Sequence, residues 1–554
     1  MNIHGEATGQ RLAGALAAAL ISALAAAAMV ACGGGGAPTS SSSSAAGSTA
    51  TAPATSAPSA SAPSPASSAP GSGTATASPN GTFSGNVVLG SPTTQSIKVN
   101  VFAASASGSV IVDWGLQPES LDRSTASHPL VAGQPLEITL EGLVPNQRHH
   151  YRVRQLSADG KTATQTAVAS FHTARPAGSS FVFTIQGDSH PERAKSQFDA
   201  GLYVRTLNTA AADQPDFHVL MGDDFSVDTL DPATVNAAQV TERYTLQRPW
   251  LGLIGRSAPL FLVNGNHEQG ARYLLDGTPN NVAVWAQNAR NSHYSQPAPD
   301  AFYSGNTEVV PHIGLLRNHF AWTWGDALFV VIDPYWSSPV PVDNAFGSTA
   351  KRNSVWEVTH GDAQYQWLKS TLERSTAKYK FVFAHHVMGT GRGGVELAGQ
   401  YEWGGLNANG TPGFAQQRPG WASPIHQLMV ANRVTIFFQG HDHLWVKQQL
   451  DGVVYQTLPQ PADPFYALNY ADAYQLHLPG DKLPNSGYAR VSVSGTEVTV
   501  EYVRSLLPAD EGPGKVHGSV AHRYTIPAPT AKPSAAGKIA QSARTMNLNP
   551  RRPS

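Results

Sequence analysis

The chain has 554 residues and a formal net charge of −1, and only 14% of its residues are Asp, Glu, Lys or Arg. That length exceeds one ordinary domain, and the near-neutral balance argues against a nucleic-acid or polyanion binder. Abundant Gly (51) and Pro (40) predict long loops and low-complexity linkers around a globular part.

The N-terminal run "RLAGALAAALISALAAAAMVAC" is apolar and ends at Cys32, the single cysteine, with "GGGG" after it. On length alone it could span a membrane, which takes about 20 apolar residues. Small residues ahead of a lone cysteine instead resemble a bacterial lipoprotein signal, with "MVAC" approximating the lipobox. Residues 1–32 are therefore expected to be a signal peptide cut before Cys32, whose sulfur would carry lipid. The protein would be exported and lipid-anchored, facing the periplasm or the cell surface. Residues 33–80 are Ser, Ala, Pro, Thr and Gly with no large apolar side chain. They cannot bury enough surface to fold and read as a disordered linker.

Residues 81–176 hold short alternating runs such as "SIKVNVFAA", "GSVIVDWG" and "HHYRVRQLS", separated by turn residues and without helical periodicity. This pattern predicts an all-β sandwich. Within it, "GLVPNQRHHYRV" (Gly142 to Val153) resembles the strand-loop-strand of fibronectin type III modules. Nothing in it suggests chemistry, so it reads as a spacer or docking module whose protein partner is unknown.

From residue 177 to 506, buried-strand runs alternate with helix-period segments such as "QYQWLKSTLERS" (Gln364 to Ser375). That alternation predicts an α/β domain. Residues 507–554 read as a C-terminal extension, mostly disordered.

The strand ends of the α/β region carry the functional signal. "FVFTIQG" ends in Asp188, Ser189 and His190, "DFHVLMG" in Asp223 and Asp224, and "PLFLVNG" in Asn266, His267 and Glu268. "KFVFA" ends in His385 and His386, and "VTIFFQG" in His441, Asp442 and His443. In open α/β sheets ligands bind at the carboxyl edge, so groups hundreds of residues apart can converge there. Any single ending could be a turn or a helix cap; five such endings together point to a metal site. Mixed imidazole and carboxylate donors favour Zn, Mn or Fe, and the lack of available cysteine excludes thiolate sites. About seven donors suffice for two metal ions if one carboxylate bridges.

D-x-H, G-D, G-N-H-E, a strand-end His and G-H-x-H, in that order, resemble the calcineurin-like metallophosphoesterase superfamily from about Phe181 to Val503. The leading β-sandwich and "FAWTWGDALFVVIDPYW" are similar to purple acid phosphatase-type members. The resemblance implies an α/β fold of two mixed β-sheets flanked by helices, preceded by the fibronectin type III-like sandwich. It implies that Asp188, His190 and His443 hold the first metal, that Asn266, His385 and His441 hold the second, and that Asp223 bridges them. Purple acid phosphatases have Gly in place of His190 and Tyr in place of Ser226, so the tyrosinate that colours those enzymes is missing and an obligatory Fe(III) is in doubt.

The expected function is metal-dependent hydrolysis of phosphoric esters, monoesters first, by a dinuclear site and its bridging hydroxide. His267 resembles the family histidine that protonates the leaving group, with Glu268 or Asp224 as candidates to orient it. His386 and Arg392, in "GTGRGG", are candidate substrate contacts; that loop lacks the Lys-Ser/Thr of a nucleotide cradle. Asp333, which closes "LFVVID", and Asp442 read as structural. Alternation along a strand would point His441 and His443 to one side. A phosphodiesterase or nucleotide hydrolase on the same core remains an alternative, as does a non-catalytic surface lipoprotein that binds a partner. The expected ligand is a small-molecule phosphate ester; nucleic acid is not expected.

Overall fold

A computed structural model describes residues 81–529 except 344, 348–354, 390 and 476–480. The expected signal segment with Cys32, the linker up to residue 80 and the tail beyond residue 529 lie outside the described residues.

The N-terminal β region is a sandwich. One sheet pairs β1 (Asn86–Gly90), β2 (Ile97–Phe102) and β4 (Leu136–Leu140) antiparallel. The other is built on β3 (Gly108–Gly115), β5 (Arg148–Ser157) and β6 (Ala169–His172). Alternate residues such as Val99, Val101, Val110, Val112, Tyr151 and Val153 fill the space between them. This follows from the period-2 patterning of the sequence.

The second region has four layers, helices outside and two sheets inside. The first sheet runs in the order β9 (Leu260–Leu262), β8 (His218–Leu220), β7 (Phe181–Gln186), β16 (Gly487–Val493), β17 (Glu497–Arg504), β18 (Val520–Pro527). The second contains, as neighbours in order, β10 (Phe320–Trp324), β11 (Ala327–Val331), β12 (Tyr379–Phe383), β13 (Ile436–Gln439), β15 (Val453–Thr457) and β14 (Trp445–Leu450). Strands β7, β8 and β9 are parallel, as are β11, β12, β13 and β15. These strands bury both faces, which is why their sequences are nearly continuous apolar runs.

An aromatic core joins the sheets. The Phe261 and Trp322 rings stack with centroids 4.0 Å apart, and Phe183, Phe217, Phe329, Phe381 and Phe438 pack around them. Such pairs add about 0.5–1.5 kcal/mol each beyond area burial. Helix α1 (Ala200–Ala212) covers the first sheet and begins where the Asp199 side chain caps the Leu202 N–H at 2.8 Å. Helix α4 (Asp362–Arg374), over the second sheet, comes after α2 (Arg248–Gly255) and α3 (Val282–His293), which lie against the first. It is the segment with helical spacing at Gln364 to Ser375, started two residues earlier.

The sandwich is docked rather than tethered. Arg248, at the start of α2, is buried and donates to the Asn86 and Asn100 side chains of the sandwich and to the His293 carbonyl. Val88 joins Leu251 and Ile254 in one apolar cluster.

The first sheet extends past the boundary expected at residue 506, because β18 pairs antiparallel with β17 over Glu497 to Val503. As an edge strand it leaves alternate residues exposed and carries His522 and Arg523, so it lacks the apolar run of its neighbours.

Candidate metal centre

The carboxyl edges of β7, β8, β9, β12 and β13 meet at one place, and each delivers its side chains within a few residues of the strand end. Asp188, His190, Asp223, Asn266, His385, His441 and His443 are all buried there. Three groups of donor atoms are close enough to hold a metal ion: Asp188 with His190 and His443, Asp223 with His385 and His441, and His190 with Asp223 and His267.

The backbone explains the convergence. His190, Asp223, His441 and His443 have φ of 46°, 58°, 66° and 53°. Left-handed conformation is rare and costly for such residues and clusters at functional sites. Strand β13 ends at Gln439, so His441 and His443 lie beyond it in a left-handed turn. Their common aim therefore comes from that turn and not from strand alternation, which corrects the expectation from the sequence. The glycines ahead of the donors leave room for the carboxylates: a Cβ on Gly440 would overlap Asp188 Oδ1, and one on Gly265 would overlap Asp223 Oδ1.

Distances within the cluster are short. His443 Nε2 lies 3.0 Å from Asp188 Oδ2, and His385 Nε2 lies 2.9 Å from Asp223 Oδ2. His190 Nε2 is 3.9 Å from Asp188 Oδ2 and 3.9 Å from Asp223 Oδ2. His441 turns Nδ1 inward, 3.2 Å from His385 Nε2. The His441 N–H donates to Asp188 Oδ1 at 2.9 Å, and the His267 N–H donates to Asp223 Oδ1 at 2.9 Å, so each carboxylate is anchored by a neighbouring loop.

Outer partners fix the rings. His385 Nδ1 is 2.7 Å from the Met221 carbonyl, and His190 Nδ1 is 3.0 Å from Glu192 Oε1. Each contact leaves Nε2 facing the cluster, the arrangement that tunes a metal-binding imidazole. The Ser226 hydroxyl lies 3.4 Å from His190 Nδ1.

Charges are poised as a cation site requires. Burial opposes ionisation of Asp188 and Asp223, but the histidines around them outweigh it and hold both carboxylates below their usual range. Burial, with Arg193 and His267 nearby, outweighs the pull of Glu192 and lowers His190 to about 4, which favours the neutral form that ligates. Burial also opposes the charge on His385, yet Asp223 and Asp188 raise it to about 10. Asn266 is buried with neither amide atom hydrogen-bonded, and His190 Nε2 is likewise unpartnered. An unsatisfied buried polar atom costs about 1–3 kcal/mol. Carboxylate, imidazole and amide donors collected in this way fit a pair of transition-metal ions.

His267 sits beside the cluster. Its Nδ1 is 2.8 Å from Asp228 Oδ1 and its Nε2 3.6 Å from Asp223 Oδ2. Burial lowers its basicity, but Asp223 and Asp228 outweigh this and raise it to about 9. Asp228 is the carboxylate that orients His267; neither sequence candidate does so. Glu268 instead accepts the N–H groups of Asp224, Phe225 and Gly265, and Asp224 accepts from Ser189 and Gln186.

His386 lies flat on His441, with ring centroids 3.8 Å apart. Arg392 donates from Nη1 to the His441 carbonyl at 2.5 Å and to Asp442 Oδ1 at 3.0 Å, and covers the Tyr470 ring at 4.0 Å. Asp442 also accepts from the Gly393 N–H and the Tyr474 hydroxyl, so it braces this loop. Asp333 accepts from Asn264 and Asn318 and from the Tyr335 N–H, an internal brace rather than part of the cluster.

No sequence motif marks Glu192, Asp228 or Asp343, whose Oδ2 lies 3.8 Å from His441 Nε2. Position alone points to Glu192, because it stands two residues after a candidate ligand.

Residues 181–444 match the calcineurin-like phosphoesterase family. The chain carries a calcineurin-like phosphoesterase domain. The sequence matches no curated protein. Among solved structures, PhoD is similar at a TM-score of 0.56 with 11% identity, over 81% of this chain and 92% of that one. Purple acid phosphatase PPD1 from yellow lupin (Lupinus luteus) seeds is similar at 0.50 with 14% identity, over 80% of this chain and 74% of that one. At these identities both likenesses concern the fold. The calcineurin-like phosphoesterase domain here is thus the mixed two-sheet fold expected from the strand-end motifs.

Proposed function

We propose that this protein hydrolyses phosphoric monoesters with two metal ions held by Asp188, His190 and His443 on one side and Asn266, His385 and His441 on the other. Asp223 lies between the two sets and serves both. The observation that carries this reading is the position of Asp223: 2.9 Å from His385 Nε2, 3.9 Å from His190 Nε2 and 3.6 Å from His267 Nε2. Metal ions bound there would supply an activated water and neutralise charge on the phosphoryl oxygens.

The chain's own groups do the rest. Asp228 accepts from His267 Nδ1–H and so keeps the ring oriented, with Nε2 turned to the centre. Asp228 favours the imidazolium form, which keeps a proton on Nε2 for the departing ester oxygen. His386 and Arg392 stand on the His441 side, where we assign them to the substrate. The imidazole, carboxylate and amide donors suit Zn, Mn or Fe.

The test compares para-nitrophenyl phosphate with bis-para-nitrophenyl phosphate, with Mn or Zn added and with EDTA. Metal-dependent turnover of the monoester above the diester is expected. A preference for the diester would transfer the reading to a phosphodiesterase, and turnover of neither would favour a binding module. We also propose that lipid on Cys32 ties the exported protein to a membrane; Cys32→Ser should release it into the soluble fraction.

A further inference from the structure

Arg193 is the feature of the centre that neither the motifs nor the reading above uses. It closes the short helical turn Pro191–Arg193, and its backbone N–H donates to the His190 carbonyl at 2.9 Å. Its side chain is held at two points. Nη1 donates to Gln197 Oε1 at 2.6 Å, and Nε lies 3.2 Å from Glu192 Oε1, the same oxygen that meets His190 Nδ1. The third nitrogen, Nη2, lies 3.3 Å from His267 Nε2. The side chain keeps 28% of its surface exposed, so it remains open to solvent while it is fixed in place.

This placement separates Arg193 from Arg392, whose Nη1 is occupied by Asp442 and the His441 carbonyl. A phosphoryl group whose ester oxygen meets His267 Nε2 can place a terminal oxygen at Arg193 Nη2, which lies 3.3 Å from that nitrogen. A planar guanidinium anchored at Nη1 and Nε holds Nη2 in place beside His267, where it can meet an oxyanion with little ordering cost.

We propose that Arg193 is a substrate contact that donates from Nη2 to a terminal oxygen of a dianionic phosphoryl group and so favours phosphomonoesters over diesters. This rests on the monoesterase reading above. A monoester carries its second charge on a terminal oxygen that a diester replaces with an alkoxy group, so the contact is worth more to the monoester. Glu192 then has two tasks, holding the His190 ring and the Arg193 fork through one oxygen.

The experiment uses the metal-loaded full chain, with Arg193→Gln and Arg193→Lys. Arg193→Gln should raise KM for para-nitrophenyl phosphate and Ki for inorganic phosphate by about ten- to a hundredfold, the effect of losing one charged hydrogen bond. KM for the bis ester should change less than about threefold, Arg193→Lys should recover part of the loss, and metal content should stay at two per chain. Equal losses on both esters, or an unchanged KM and Ki, would overturn the proposal. Loss of metal in both variants would also overturn it, by making Arg193 a support for His190. If the wild type turns over neither ester, the hydrolase reading fails separately. Calorimetry with inorganic phosphate then decides Arg193 alone: binding weakened in Arg193→Gln supports it, and equal or absent binding to the wild type overturns it.

Discussion

His267 and Asp228 meet through Nδ1 and Oδ1 at 2.8 Å, and this contact leaves Nε2 turned to Asp223, 3.6 Å away. General acid catalysis is typically worth about 10²–10⁴-fold. His267→Ala is therefore expected to keep both metals and to lower kcat at least about tenfold, and up to the whole of that range, on esters with poor leaving groups. Asp228→Asn should lower kcat in the same direction but less, because it removes the negative charge behind Nδ1–H and leaves the ring. Both losses should shrink with leaving groups acidic enough to depart unprotonated. Turnover measured on phenyl phosphates of graded leaving-group acidity checks this, and a uniform loss across the series would remove His267 from proton transfer.

Asp223 belongs to two of the three donor groups, one with His385 and His441 and one with His190 and His267, and its Oδ1 also holds the His267 N–H at 2.9 Å. Asp223→Asn replaces an anion with a neutral amide at the point where two cations would meet. Metal content by elemental analysis should fall below two per chain, and turnover should fall with it. Two metals per chain in a folded Asp223→Asn protein would show that the shared role is wrongly assigned.

The donors themselves were legible in the sequence because each follows an apolar strand almost directly, so one short segment specifies both the strand and its chemical end. The groups that support them were less legible. Asp228 follows Asp223 by five residues, yet only the turn through Val227–Thr229 brings it back to His267. Local pattern offers Glu268 or Asp224, but Glu268 accepts the N–H groups of Asp224 and Gly265, and Asp224 accepts from Ser189 and Gln186. Strand alternation misled at His441 and His443 because a left-handed turn, not a strand, carries them. The edge strand at Val520–Pro527 is hidden in the sequence because its exposed alternate residues resemble a loop. What sequence reads well is burial and periodicity; pairings across left-handed turns come from the folded chain.

Glu192 contacts His190 Nδ1 at 3.0 Å through Oε1, a carboxylate behind a candidate metal-binding imidazole. Removing such a partner typically costs about 10–100-fold in metal affinity. Glu192→Gln should weaken one of two metal equivalents by that factor and leave the other nearly unchanged, because His385 and His441 belong to the second group. Competition with a chromophoric chelator resolves the two steps. Equal weakening of both would mean that Glu192 supports the whole loop and not His190 in particular.

The state of His385 makes metal binding depend on pH. Burial disfavours its charge, but Asp223 and Asp188 raise it to about 10, so without metal the ring carries a proton at neutral pH on Nε2, 2.9 Å from Asp223 Oδ2. Ligation needs that nitrogen bare, while Nδ1–H stays on the Met221 carbonyl. Binding must therefore expel a proton, and affinity should rise by up to about tenfold per pH unit between about 7 and 10. The sign for stability is the reverse. A folded-state value above the ordinary 6.5 stabilises the metal-free protein fully below about 6.5, and that contribution is lost as pH rises toward about 10. Titration calorimetry at pH 7 in buffers of different ionisation heat should find at least one proton released per chain. Scanning calorimetry of the metal-free protein should find Tm falling from pH 7 to 10, with this slope absent once metal is bound. Metal uptake without proton release would mean that His385 is already neutral and that its pairing with Asp223 does not set the affinity.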